Sequence, residues 1–121
     1  MGGEGRARGR PRANARFAAV IVRIWRTGID PARADDYERF ARERSLPMFR
    51  TQTGFRGVLF ASGEKAERVV LSFWQDVGAV EDLGRSPSYR ETVDALLATG
   101  ILTGEQTVEV LDVEGGDPPG A

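Results

Sequence analysis

The chain of 121 residues contains neither cysteine nor histidine. Without cysteine it has no disulfide framework, thiolate nucleophile, zinc ribbon or iron–sulfur cluster. Without histidine it has no Ser-His-Asp triad, His-ligated zinc or proximal-His haem. No side chain titrates near neutral pH unless its surroundings shift it, because histidine alone does so unperturbed. A carboxylate-only site for Mg²⁺ or Ca²⁺ stays open, and a cysteine-free chain suits a reducing cytoplasm. No apolar run approaches the ~20 residues of a membrane span. Residues 17–24 carry Arg23 near their end and follow an Arg-rich lead, so they read as a strand and not as the core of a signal peptide. The chain also lacks G-x-x-x-x-G-K-[ST], G-x-S-x-G and a G-x-G-x-x-G that follows a strand.

What is present is the composition of an ordinary globular domain: 40% hydrophobic and 29% charged residues, with a formal net charge of −1. The length suits one core. Residues 1–16 stand apart. Five arginines against one glutamate give them +4, which leaves −5 on the remainder, and they hold four glycines and only four apolar residues. Such a segment buries too little surface to offset its ordering entropy, so a disordered basic tail is expected. No aromatic residue interleaves the arginines to stack on bases, and a solvated tail is favoured over a nucleic-acid arm.

Residues 17–25 (FAAVIVRIW), apolar at eight of nine positions, read as a first strand. Asp30-Pro31 reads as a cap and first-turn proline. A helix then places Ala34, Tyr37, Phe40, Ala41 and Met48 on one face until Pro47 ends or kinks it. Residues 55–61 and 67–74 form two strands joined by a polar turn, a hairpin. Asp76 caps a short helix over residues 77–83. Ser86-Pro87 opens a second long helix, which reaches about Thr99, with Gly100 as its C-cap. Residues 105–113 give a last strand, and 114–121 form a Gly/Pro-rich flexible tail. The order β-α-β-β-α-β predicts an α+β, ferredoxin-like domain over residues 17–113, with a four-stranded antiparallel sheet and both helices on one face.

That sheet is apolar on both faces. In the first strand Val20, Val22 and Ile24 alternate with Ile21 and Trp25. In the third, Val69, Leu71 and Phe73 alternate with Val70, Ser72 and Trp74. Helices cover only one face, and an uncovered apolar face is a patch that soluble monomers avoid. A sheet-to-sheet homodimer is therefore expected.

Several segments carry a resemblance. Phe73-Trp74-Gln75-Asp76 closes the third strand, a short helix follows, and Ser86-Pro87-Ser88-Tyr89 comes next. Thr53-Gly54-Phe55-Arg56-Gly57 opens the second strand. Their order over residues 17–113 resembles the antibiotic biosynthesis monooxygenase-like domain of the dimeric α+β barrel superfamily. The resemblance implies two such sheets paired into a barrel and a ligand cavity between each sheet and its helices. It also implies cofactor-free oxygenation of a small aromatic or polyketide-type substrate. The departures are specific. Leu83 stands where some relatives carry a histidine, Thr53 replaces a proline, and the only asparagine, Asn14, lies in the tail. They favour an alternative, a non-catalytic dimeric barrel that binds a small apolar ligand or serves as a pathway accessory.

Oxygenation without a cofactor needs an acidic, electron-rich substrate such as a phenol or anthrone, a group that takes its proton or holds its anion, and a dry pocket. Trp74, Arg23 and Tyr37 are the candidate catalytic residues. Trp25, Phe73, Leu83, Tyr89 and Arg90 are the candidates for substrate contact. Each has a plainer reading: Trp74 and Tyr37 as core residues, Trp25 at the dimer interface, and Arg23 paired with Glu109 or Asp112. The carboxylate pairs Asp35-Asp36 and Glu81-Asp82 read as solvated helix faces, so no metal and no cofactor is expected. The expected partners are a second copy of the chain and a small apolar or aromatic ligand, without nucleic acid or membrane.

Overall fold

The computed structural model describes residues 20–117. The basic tail, residues 17–19 of the expected first strand and residues 118–121 lie outside them. The described residues form β1 (Ile21–Ile29), a 3₁₀ turn (Pro31–Arg33), α1 (Ala34–Phe40), a π-helical segment (Ala41–Ser45) and α2 (Leu46–Arg50). There follow β2 (Phe55–Ser62), β3 (Glu67–Trp74), α3 (Val77–Arg85), α4 (Pro87–Ala98) and β4 (Leu102–Asp112). The four strands make one antiparallel sheet in the order β2-β3-β1-β4. This is the ferredoxin-like, α+β fold that the element order predicts.

Local chemistry places the helices. Asp30 accepts from the Ala32 amide (3.0 Å), Asp76 from Ala79 (2.9 Å) and Ser86 from Tyr89 (3.3 Å), so each expected cap forms. Gly100 ends the second long helix with φ +72°, a conformation glycine adopts without steric cost.

Pro47 does not stop the first helical rod, which continues to Arg50. A proline inside an α-helix lacks the N–H and clashes with the carbonyl four residues back. Here the preceding turn is widened to π over Ala41–Ser45, and Pro47 falls in the first turn of α2.

Two strand ends differ from expectation for one reason. β1 runs past Trp25 to Ile29, and β4 starts at Leu102 and not at Glu105. The two pair beyond a bulge between Arg26 and Gly28, with Gly28 opposite Thr103 and Ile29 opposite Leu102. A side chain on residue 28 would bring its Cβ within 2.8 Å of Thr103 Oγ1, so only glycine lets the strands approach.

The register assigns the faces. Arg23 lies opposite Ser72, Trp25 opposite Val70, and Phe60 opposite Val70 on its other side, so these side chains share the helix-facing side. One core cluster gathers Trp74, Ile21, Met48, Phe49, Val70, Ala79 and Leu83. A second gathers Ile29, Tyr37, Leu96 and Ile101. The opposite side carries Val22, Ile24, Leu71 and Phe73, and no described element lies over it. No described helix is long and apolar enough to cross a membrane.

Candidate functional site

Between the sheet and the helices lies a cavity of about 310 Å³. Arg23 and Trp25 of β1, Phe60 of β2, Val70 of β3 and Val108 of β4 line its floor. Tyr37, Ser45, Met48 and Phe49 close it from the first helical rod, and Tyr89, Thr92 and Leu96 from α4. The walls are mostly apolar and aromatic with a few polar groups, the usual make-up of a small-molecule pocket.

The polar end is built on Arg23. Its Nη2 donates to the Tyr89 hydroxyl at 2.8 Å, and its guanidinium carbon lies 5.4 Å from the centre of the Tyr89 ring. Because that oxygen accepts from Arg23, the Tyr89 hydroxyl keeps its own proton for a ligand acceptor.

Among the described residues Arg23 has no carboxylate partner. Glu109 accepts instead from Arg26 Nη1 at 3.2 Å. The register explains this: Glu109 lies opposite Ile24, on the outer face with Arg26, while Val110 lies opposite Arg23. Among the described residues, Arg23 is thus a half-buried cation facing an apolar cavity with a phenol as its only side-chain partner.

Tyr37 enters the cavity from α1 and is buried, 5% exposed. Burial pushes its hydroxyl up to about 12, against a smaller downward pull from Arg68. It is a neutral hydrogen-bond donor at ordinary pH. Among the described residues, none that lines the cavity is an aspartate or glutamate, and no three acidic side chains gather as a metal site would need.

Of the residues singled out from sequence, Arg23, Trp25, Tyr37 and Tyr89 come together around this cavity. Trp74, expected in its wall, lies in the core at 0% exposure, donates its indole N–H to Ser72 Oγ at 2.8 Å, and meets Phe49 and Phe55 edge-on. Leu83 is buried beside it in the same cluster. Phe73 lies on the outer face, opposite Val22. Arg90 is exposed and gives its Nε to the Gly84 carbonyl. The sequence reading did not single out Phe49, Phe60, Thr92 and Gln106 as lining residues. Phe60 was within reach, since β2 alternates and Phe60 shares a face with Val58.

No family model matches the chain, and no curated protein matches it. Solved structures do. A monooxygenase from the gene ActVA-Orf6 of Streptomyces coelicolor, in complex with nanaomycin D, superposes with a TM-score of 0.72 at 19% identity, over 85% of this chain and 95% of that one. SnoaB, a cofactor-independent oxygenase from Streptomyces nogalater, gives 0.65 at 20% identity, over 84% and 99%. A protein of unknown function from Nitrosomonas europaea gives 0.67 at 13%, over 86% and 98%. The chain has the fold of the antibiotic biosynthesis monooxygenase-like structures.

Proposed function

We propose that the chain oxygenates a small aromatic substrate bearing an acidic hydroxyl, in the cavity between its sheet and helices and without a metal or flavin. The observation that carries this reading is Arg23: a half-buried cation without a carboxylate among the described residues, coupled to Tyr89, at one end of an aromatic-walled cavity. A planar phenol or anthrone lies against Trp25, Phe49 and Phe60 with its oxygen at Arg23 and Tyr89. Their positive charge and hydrogen bonds stabilise the substrate's anion, and the apolar walls strengthen that interaction by keeping water out.

Deprotonation makes the ring carbon opposite the oxygen nucleophilic toward O₂. A CH₂ group becomes C=O, one oxygen atom enters the carbonyl and the other leaves as water with the two hydrogens the carbon loses. Substrate and O₂ balance without an external reductant. Tyr37 stays protonated and donates to the developing oxygen functions. The substrate gives its proton to bulk water as it enters, before the walls enclose it, since the described wall residues offer no carboxylate to take it. That lack favours a second reading, a barrel that binds an aromatic ligand and does not turn it over.

The test is aerobic incubation with an anthrone. Uptake of one O₂ per quinone formed, unaffected by chelator and abolished in Arg23→Gln, supports oxygenation. Tight binding without uptake supports the second reading.

We also propose a homodimer through the outer sheet face, where Leu59 and Leu111 are each 44% exposed beside Val22, Ile24 and Leu71. A cytoplasmic location agrees with the absence of cysteine.

A further inference from the structure

Three described arginines are half-buried: Arg23, Arg33 and Arg68. Arg33 is paired with Asp36 at 3.4 Å and donates to the Thr99 carbonyl. Arg23 serves the cavity already described. Arg68 lines a second cavity, of about 330 Å³, between the first helical rod and the β2–β3 hairpin. Tyr37 and Phe60 border both cavities, and buried Tyr37 stands as a wall between them.

The sheet holds Arg68 in place. It sits on β3 between Thr27 of β1 and Ser62 of β2, with its side chain toward the helices. Its guanidinium carbon lies 5.9 Å from the Tyr37 ring centre, and Nη1 donates to the Glu67 carbonyl. A guanidinium has five N–H donors and no acceptor. Among the described residues Arg68 makes no other hydrogen bond and no ion pair.

Exposed Arg42 faces the same cavity from the π-helical segment. Glu38, the one acid of this wall, precedes it by four residues, the spacing of a helical ion pair, yet the two form none. The described wall thus holds two cations and one acid, +1 in sum. Its base is apolar, formed by Leu46 and by Phe60, which is 38% exposed.

This make-up selects an occupant. A single negative charge balances the wall, and the dianion of a phosphate ester exceeds it. A planar carboxylate meets a guanidinium with two parallel charge-assisted hydrogen bonds. The volume lies at the low end of small-molecule pockets, about 300–1,000 Å³, which suits a body no larger than one ring.

We propose that the second cavity is a separate site for a small monocarboxylic acid, its carboxylate on Arg68 and its apolar body against Phe60 and Leu46. Arg42 reinforces the charge from the rim. The site goes beyond the oxygenase reading and does not depend on it.

The experiment titrates the full ¹⁵N-labelled chain at neutral pH with benzoate, with its neutral counterpart benzamide and with inorganic phosphate, and follows amide and arginine Nε–H signals. The expected result is that benzoate binds roughly tenfold or more tightly than benzamide and than phosphate, with its largest shifts at Arg42, Ser62 and Arg68. Arg68→Gln removes that advantage, Arg68→Lys keeps part of it, and Arg42→Gln lowers it a few-fold. Arg23→Gln leaves benzoate binding unchanged. Equal binding of benzoate and benzamide overturns the proposal, and so does phosphate binding as tightly as benzoate. Shifts centred on Arg23 and Tyr89, or loss of benzoate in Arg23→Gln, would place the acid in the first cavity and overturn it too. None of these outcomes decides whether the first cavity oxygenates an anthrone.

Discussion

Tyr37 and Ser72 show how single polar atoms are held under this sheet. The Tyr37 hydroxyl is pushed up to about 12 by burial, above the ~10 of an unfolded tyrosine. A folded value raised above the unfolded one means that its contribution is whole below pH ~10 and is lost as pH rises toward 12, because only the unfolded chain gives up the proton there. By about pH 12 wild type should lose roughly 2 kcal/mol that Tyr37→Phe does not lose, read as the difference between their urea midpoints at pH 9 and about pH 12. Ser72 is fully buried and accepts the Trp74 indole N–H. Ser72→Ala leaves that donor without its partner, and a cost of about 1–3 kcal/mol is expected in denaturant unfolding. These residues also explain which part of the site could be read from sequence. Alternation along β3 correctly sends Val70, Ser72 and Trp74 to the helix side. It does not say which helix lies above each position. Val70 faces the cavity while Trp74 lies under α2 and α3 against Phe49 and Leu83, and that difference depends on helix placement alone.

At the scale of elements, caps and alternation carried most of the fold. Asp30, Asp76 and Ser86 each mark a helix start chemically, because a side-chain acceptor meets an amide that would otherwise lack a partner. The strand ends were not legible where pairing continues across a bulge, since the continuation of β1 and β4 depends on two distant segments meeting at Gly28 and Thr103. The π segment was hidden for a related reason: Pro47 announces a break, and the chain answers with a wider turn that puts Ser45 and Met48 at the cavity. The junction of α2 with β2 depends on Gly54, which has φ +80° and whose Cβ position lies 2.6 Å from the Ala79 Cβ of α3. Gly54→Ala meets both a conformational and a steric penalty, and a loss of roughly 2–4 kcal/mol is expected. The signature is a lower denaturant midpoint with an unchanged slope. A loss under about 0.5 kcal/mol would mean that α3 moves away freely and does not brace this turn.

For the whole molecule, the unresolved balance is the outer sheet face. The helices satisfy one side, where Trp74, Leu83 and Val70 are buried. The other presents Val22, Ile24 and Leu71 with Leu59 and Leu111, the last two each 44% exposed. A patch this continuous favours association through burial of apolar area, at roughly 25 cal/mol per Å² before the costs of docking. A second copy supplies a matching surface, because a two-fold axis through the sheet brings the same residues against themselves. Sedimentation equilibrium at low micromolar concentration should therefore report twice the mass of one chain. Leu71→Asp places a charge at the centre of the outer face, between Ile24 on β1 and Leu59 on β2. Its side chain points away from the core, so the fold survives while the interface must bury an unpaired carboxylate. The variant should sediment as a monomer with an unchanged far-UV spectrum. A monomeric wild type, or a Leu71→Asp variant that still dimerises, would place the contact elsewhere and leave this face open.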